Sequence, residues 1–149
     1  GSCVMKNHMK VVFSAKTENV IFSRTVAVGF LVNLNLEIGE LNEIKTAISE
    51  AVTNAIVHGY GNDETKEVEL TMYYDDNKIV MEIIDYGVGI ENVESAREPL
   101  FSSKKNEERA GLGFTIMEVF SDKLEVSSIL GKMTKVTMVR SYNAFRESE

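Results

Sequence analysis

Between Glu67 and Ile84 the chain alternates with a period of two. Val68, Leu70, Met72 and Tyr74 alternate with Glu67, Glu69, Thr71 and Tyr73, Asp75-Asp76-Asn77-Lys78 forms a turn, and Ile79–Ile84 returns as a second strand. This pattern predicts an antiparallel hairpin with one buried face, and that face needs a cover. The helical period upstream supplies one. Over Glu40–His58, Leu41, Ile44, Ile48, Val52 and Ala55 fall on one side of the wheel. Thr46, Glu50 and Asn54 stack on the opposite side at every fourth position, and one more step reaches His58.

The remaining elements are shorter. Lys10–Ser14 reads as a strand, and Val20–Asn33 as a helix capped by Thr17 or Asn19. Residues 90–111 are irregular, with a short helix at Val93–Arg97. Gly113–Phe120 reads as a helix, and Leu124–Ile129 and Lys135–Val139 as a closing strand pair around Gly131-Lys132. Strands joined by short turns, with helices between the pairs, predict an α+β, two-layer sandwich: a mixed, mostly antiparallel sheet with helices on one face. At 149 residues one domain is expected, over 5–142. Residues 1–4, beginning Gly1-Ser2, read as a tag remnant, and 143–149 as a frayed tail.

Composition excludes several functions. Sixteen Lys and Arg against 23 Asp and Glu leave a net charge of -7, which disfavours direct nucleic-acid binding. One cysteine, Cys3, and two histidines, His8 and His58, provide neither a disulfide nor a zinc cluster. No apolar run approaches the roughly 18 residues of a membrane span, so a cytoplasmic protein without a membrane partner is expected.

Three features carry chemistry. Glu50 and Asn54, one turn apart, direct a carboxylate and a carboxamide into one space, suited to a general base and a Mg2+ ligand. Asp85 follows the apolar Ile83-Ile84 at a strand end and precedes Gly87 and Gly89, so its carboxylate is placed to accept from an exocyclic amine. Gly111-Leu112-Gly113 sits where a loop opens a helix, a place where backbone N–H groups can cradle phosphate. Each alone has an ordinary explanation: a solvated helix face, an Asp-x-Gly turn, a flexible helix entry. His58 alone reads as a helix C-terminal histidine. No P-loop or complete dinucleotide fingerprint is present.

Together these residues resemble the GHKL ATPases. Glu50-Ala51-Val52-Thr53-Asn54-Ala55 is similar to the N box, Asp85-x-Gly87-x-Gly89 to the first glycine box, and Gly111-Leu112-Gly113-Phe114 to the second. Glu50 through Tyr60, Glu98-Pro99-Leu100-Phe101 and the run from Gly111 to Glu118 resemble the anti-sigma factor serine kinases of that superfamily, the sporulation branch above all. The resemblance implies a Bergerat fold that binds ATP and Mg2+, phosphorylates a serine on an anti-anti-sigma (STAS-domain) protein, and restrains a sigma factor of the sigma F type as a homodimer.

By the same resemblance, Glu50 is the general base, Asn54 the Mg2+ ligand, and Asp85 the acceptor from adenine, with Gly87 and Gly89 shaping the base pocket and His58 peripheral to the ATP site. Gly111, Leu112, Gly113, Phe114 and Thr115 wrap the phosphates under a lid over 98–110, where Ser102, Ser103, Lys104 and Arg109 are the phosphate contacts and Arg109 the preferred γ-phosphate partner. Arg24 matches the family's partner-binding surface. The chain departs from the family pattern at Lys132-Met133-Thr134-Lys135, leaving open whether Thr134 or Lys135 supplies an adenine contact. A nucleotide-gated sequestering module without turnover, or a general-stress anti-sigma kinase, are the alternatives.

Overall fold

The computed structural model describes residues 4–98 and 105–143, the side chains of 105–110 excepted. The elements are β1 (Asn7–Ser14), α1 (Asn19–Leu31) with a 3-10 turn at Val32–Leu34, α2 (Ile38–Asn54) with a π-helical turn at Ala55–Gly59, β2 (Glu67–Tyr74), β3 (Lys78–Asp85), α3 (Val93–Arg97), α4 (Lys105–Val119), β4 (Lys123–Ile129) and β5 (Met133–Ser141).

The predicted hairpin is β2–β3, with Met72 opposite Met81 and Tyr74 opposite Ile79. Asp75 closes its turn by accepting from the N–H groups of Asn77 and Lys78, both at 2.8 Å. The sheet order is β1-β2-β3-β5-β4. All four neighbouring pairs are antiparallel, so the mostly antiparallel expectation holds and its mixed component is not seen among the described residues.

Alternation decides the layers. Val68, Leu70, Met72, Ile79, Met81, Ile83, Val136 and Met138 point to one face and are buried there with Ile44, Ala47, Ile48, Ala51 and Val52 of α2. A capping box begins α2, in which Glu37 and Glu40 reciprocally satisfy each other's backbone N–H groups. Arg140 ties the layers at the far end of the sheet, donating to Phe120 O at 3.1 Å and pairing with Glu43 at 3.4 Å.

Two elements differ from expectation. The helix of Glu40–His58 stops being α-helical after Asn54, and Ala55–Gly59 forms a π-helical turn. The helix expected at Gly113–Phe120 begins at Lys105, so Gly111-Leu112-Gly113 lies inside α4 instead of opening it. Lys105, Glu107, Glu108, Arg109 and Ala110 are strong helix formers. The roughly 1 kcal/mol that each glycine costs a helix is outweighed by the packing of α4 on α2.

Candidate functional site

The site is built where α2, its π-helical turn, the end of β3 and α4 meet. Its first part is a slot around Asp85. This carboxylate ends β3 on the buried face and is 4% exposed. Its walls are backbone. A Cβ at Gly59 would fall 2.5 Å from the Cγ of Asp85, and one at Gly87 would fall 1.9 Å from the carbonyl oxygen of Gly59. Glycine is therefore required at both positions, and the N–H of Val88 fastens the two segments by donating to Gly59 O at 2.9 Å. Burial pushes the Asp85 carboxyl up to about 6, with the N–H that Gly87 donates to Oδ1 at 3.0 Å acting the other way.

Gly89 does different work from Gly87. Its φ is 72°, and a Cβ there would lie 2.3 Å from Ile129 O, so this glycine seats the turn against the β4–β5 hairpin and is not a wall of the slot. The N–H of Gly131, donating to Val88 O at 2.6 Å, completes that contact. Thr134 is buried directly opposite Asp85, its hydroxyl 2.7 Å from that of Ser128. Lys135 faces the other side of the sheet and pairs with Glu82 at 3.7 Å. Of the two residues left open by the sequence, only Thr134 shares Asp85's face.

The second part lies under α4. A Cβ at Gly113 would sit 3.1 Å from Nδ2 of Asn54, 3.2 Å from its Oδ1 and 3.2 Å from Oε2 of Glu50. Gly113 thus brings the backbone of α4 down onto the polar stripe of α2, and the carboxylate and carboxamide share one small space. Nδ2 of Asn54 is buried with no hydrogen-bond partner among the described residues. A buried amide in that condition costs free energy, and such groups are concentrated where a ligand completes them.

The histidine kinase-like ATPase domain family matches residues 13–140. An anti-sigma F factor of Clostridium perfringens (strain SM101) is 49% identical over 139 residues, 93% of this chain and 99% of that protein. The chain belongs to the anti-sigma F factor family. Its relatives in Clostridium beijerinckii and Geobacillus stearothermophilus are 44% and 45% identical, over 92% and 93% of this chain and 96% and 94% of theirs. Among solved structures, the RsbU and RsbW domains of Rv1364c from Mycobacterium tuberculosis give a TM-score of 0.66 at 17% identity, covering 96% of this chain and 35% of that one. The SiaB-SiaC complex from Pseudomonas aeruginosa gives 0.59 at 13% identity, covering 91% and 89%. At these identities the structures establish the shared fold.

Set in this anti-sigma F fold, the expected residues divide. Glu50, Asn54 and Gly113 meet, and five residues beyond Asn54 the π-helical turn brings Gly59 against Asp85 and Gly87, which come from the end of β3. His58 lies half-buried in the intervening π-helical turn. Phe114 departs from the phosphate-wrapping expectation because its side chain is in the core. Leu112 is exposed, and Thr115 donates its hydroxyl to Gly111 O at 2.9 Å. Because α4 starts at Lys105, Gly111–Gly113 is not a helix N-terminus, and the phosphate cradle expected on that ground is corrected. Ser102, Ser103 and Lys104, and the side chain of Arg109, lie outside the described residues. Arg24 is exposed on α1 beside Ile21 and Phe22, which are also exposed.

Gly59 and Tyr60 close the run that carries the family resemblance, but neither is singled out there as a site residue. Tyr60 donates its hydroxyl to Glu67 O at 2.6 Å and accepts from the N–H of Tyr86 at 2.7 Å, holding the residue after Asp85. Tyr60→Phe removes both bonds. We expect a stability loss of about 1 kcal/mol and a several-fold weaker nucleotide affinity, read from thermal melts and equilibrium titration. An unchanged affinity would mean that the turn holds Asp85 without Tyr60.

Proposed function

We propose that this chain is a protein-serine kinase and anti-sigma factor. It binds a sigma factor of the sigma F type as a homodimer and uses Mg-ATP to phosphorylate a serine of a STAS-domain anti-anti-sigma protein in the cytoplasm. The observation that carries the reading is the meeting of Glu50 and Asn54 beneath Gly113, joined through the π-helical turn to the backbone-walled slot of Asp85.

The residues fit the nucleotide and its metal. Two glycine walls suit a flat base, and the Asp85 carboxylate suits an exocyclic amine. A half-turn of the Asn54 carboxamide exchanges nitrogen for oxygen, giving a hard ligand where Nδ2 now lacks a partner. Among the described residues no group of three or more His, Cys, Asp or Glu forms a protein-only metal cage. Mg2+ commonly takes one or two protein ligands together with substrate phosphates. When bound, it would neutralise charge on the transferring phosphoryl group.

In the transfer, the Glu50 carboxylate accepts the proton of the substrate serine as its Oγ bonds to the γ-phosphorus. The bridging P–O bond breaks and ADP leaves. Ser102, Ser103, Lys104 and Arg109 are assigned to the phosphates. Exposed apolar side chains around Arg24 support its assignment to a protein interface.

Incubation with γ-labelled ATP, Mg2+ and the STAS-domain protein should place label on a serine of that protein, and chelation of Mg2+ should abolish it. Absence of label despite saturating ATP binding would replace the kinase with a sequestering module. Absence of ATP binding would overturn the site.

A further inference from the structure

We propose that Ser128 is a positioning residue for the base end of this site: its hydroxyl fixes that of Thr134 as an acceptor beside Asp85, biasing the slot toward a base that presents an amino group. The inference rests on reading the Asp85 slot as an adenine site. Asp85 on β3, Thr134 on β5 and Ser128 on β4 are cross-strand partners in register. They make a polar row at the end of a sheet face whose other central positions are apolar.

Proton accounting around Ser128 sets the polarity of that row. Its Oγ lies 2.8 Å from the Ile90 nitrogen, 2.8 Å from Met133 O and 2.7 Å from Oγ1 of Thr134. A backbone N–H only donates and a carbonyl only accepts, so the single proton of Ser128 goes to Met133 O. The remaining contact is satisfied when Thr134 donates to Ser128. Thr134 then has lone pairs alone to offer, on the same sheet face as Asp85 and directly across the strand pair from it. Thr134 is 6% exposed, so bulk water does not readily reset this arrangement. Two adjacent acceptors match an amino group, and they oppose a carbonyl in its place. Without the Ser128 hydroxyl, the Thr134 proton is free to turn and donate, and a carbonyl-bearing base gains a partner.

The test is equilibrium calorimetry with ATP and with inosine triphosphate, which has the same ribose and phosphates but a carbonyl in place of the amino group. Ser128→Ala should narrow the ratio of the two dissociation constants roughly three- to tenfold, the equivalent of about one neutral hydrogen bond. Ser128→Thr, which keeps a hydroxyl, should restore the wild-type ratio, and Ser128→Ala should have no effect on the ratio in a Thr134→Val background. Should Ser128→Ala not fold, Thr134→Val alone should narrow the ratio. Equal weakening of both nucleotides by Ser128→Ala would overturn the proposal and leave Ser128 as a structural tie to Ile90. A wild-type protein that binds neither nucleotide would instead remove the adenine site, and the proposal with it.

Discussion

Asp85→Asn should abolish useful ATP binding and at the same time raise the melting temperature of the unliganded protein. Both effects have one cause. The carboxyl is raised from 3.8 to about 6 by burial, so at neutral pH the fold holds an ionised group that the unfolded chain accommodates more easily. At about 1.36 kcal/mol per tenfold change in acidity, this costs roughly 3 kcal/mol. The sign follows from proton uptake. Between about pH 4 and 6 the native state binds more protons than the unfolded state, so this group's contribution to stability is greatest at low pH and is lost as pH rises through about 6. Asparagine keeps the shape and the acceptor for the Gly87 N–H without the charge. A melting temperature higher by roughly 5–10 °C at pH 7.5 is expected for a chain of this size.

Affinity moves the other way. Gly87 donates to Oδ1, so in the variant the amide nitrogen must occupy the other position and turn N–H groups toward the amino group of the base. A weakening of about a hundredfold or more is expected, since a charge-assisted bond is replaced by a donor facing a donor. Wild-type affinity should also fall as pH drops below about 6. ATP's own phosphate titrates in a similar range, so the quantity to read is the difference between the wild-type and Asp85→Asn profiles. A variant that gains no stability would show that Asp85 is not strained by burial, and one that binds ATP normally would remove it from the base site.

This opposition between stability and binding also explains which parts of the molecule were legible in its sequence. The β2–β3 hairpin and most of α2 follow from local periodicity, because alternation and the helical repeat are written in consecutive residues. The pairing of Glu50 with Asn54 follows from the same repeat. Gly59 is different. The run Ala55-Ile56-Val57-His58 reads as more α-helix that Gly59 merely ends, whereas Ala55–Gly59 forms a π-helical turn tied to a tertiary contact, the Gly59 carbonyl against Gly87. Gly111 and Gly113 signal a helix entry when read locally, whereas in the fold both lie inside α4 and Gly113 allows it to approach α2. Ser128 is invisible for a related reason: one serine on an alternating strand is ordinary until Ile90, Met133 and Thr134 converge on it.

Glu50 and Asn54 share one space but should fail in different ways. Glutamine at position 50 keeps the volume beneath Gly113, where a Cβ would already lie 3.2 Å from Oε2, and so leaves α4 in place. It removes only the ability to take a proton. Glu50→Gln should therefore lower transfer to the substrate serine by about a hundred- to ten-thousandfold, the range of a lost general base, with ATP affinity changed by less than about threefold, below roughly 0.7 kcal/mol. Asn54→Ala should show the reverse order of effects: ATP affinity falls and no longer depends on Mg2+, and transfer is lost as a consequence. Glu50→Ala is a poorer probe, since it also empties the space on which α4 rests. Calorimetric titration of ATP with and without Mg2+, beside single-turnover transfer, separates the two. Equal loss of ATP affinity in Glu50→Gln and Asn54→Ala would mean that both side chains hold the nucleotide and that neither acts as the base.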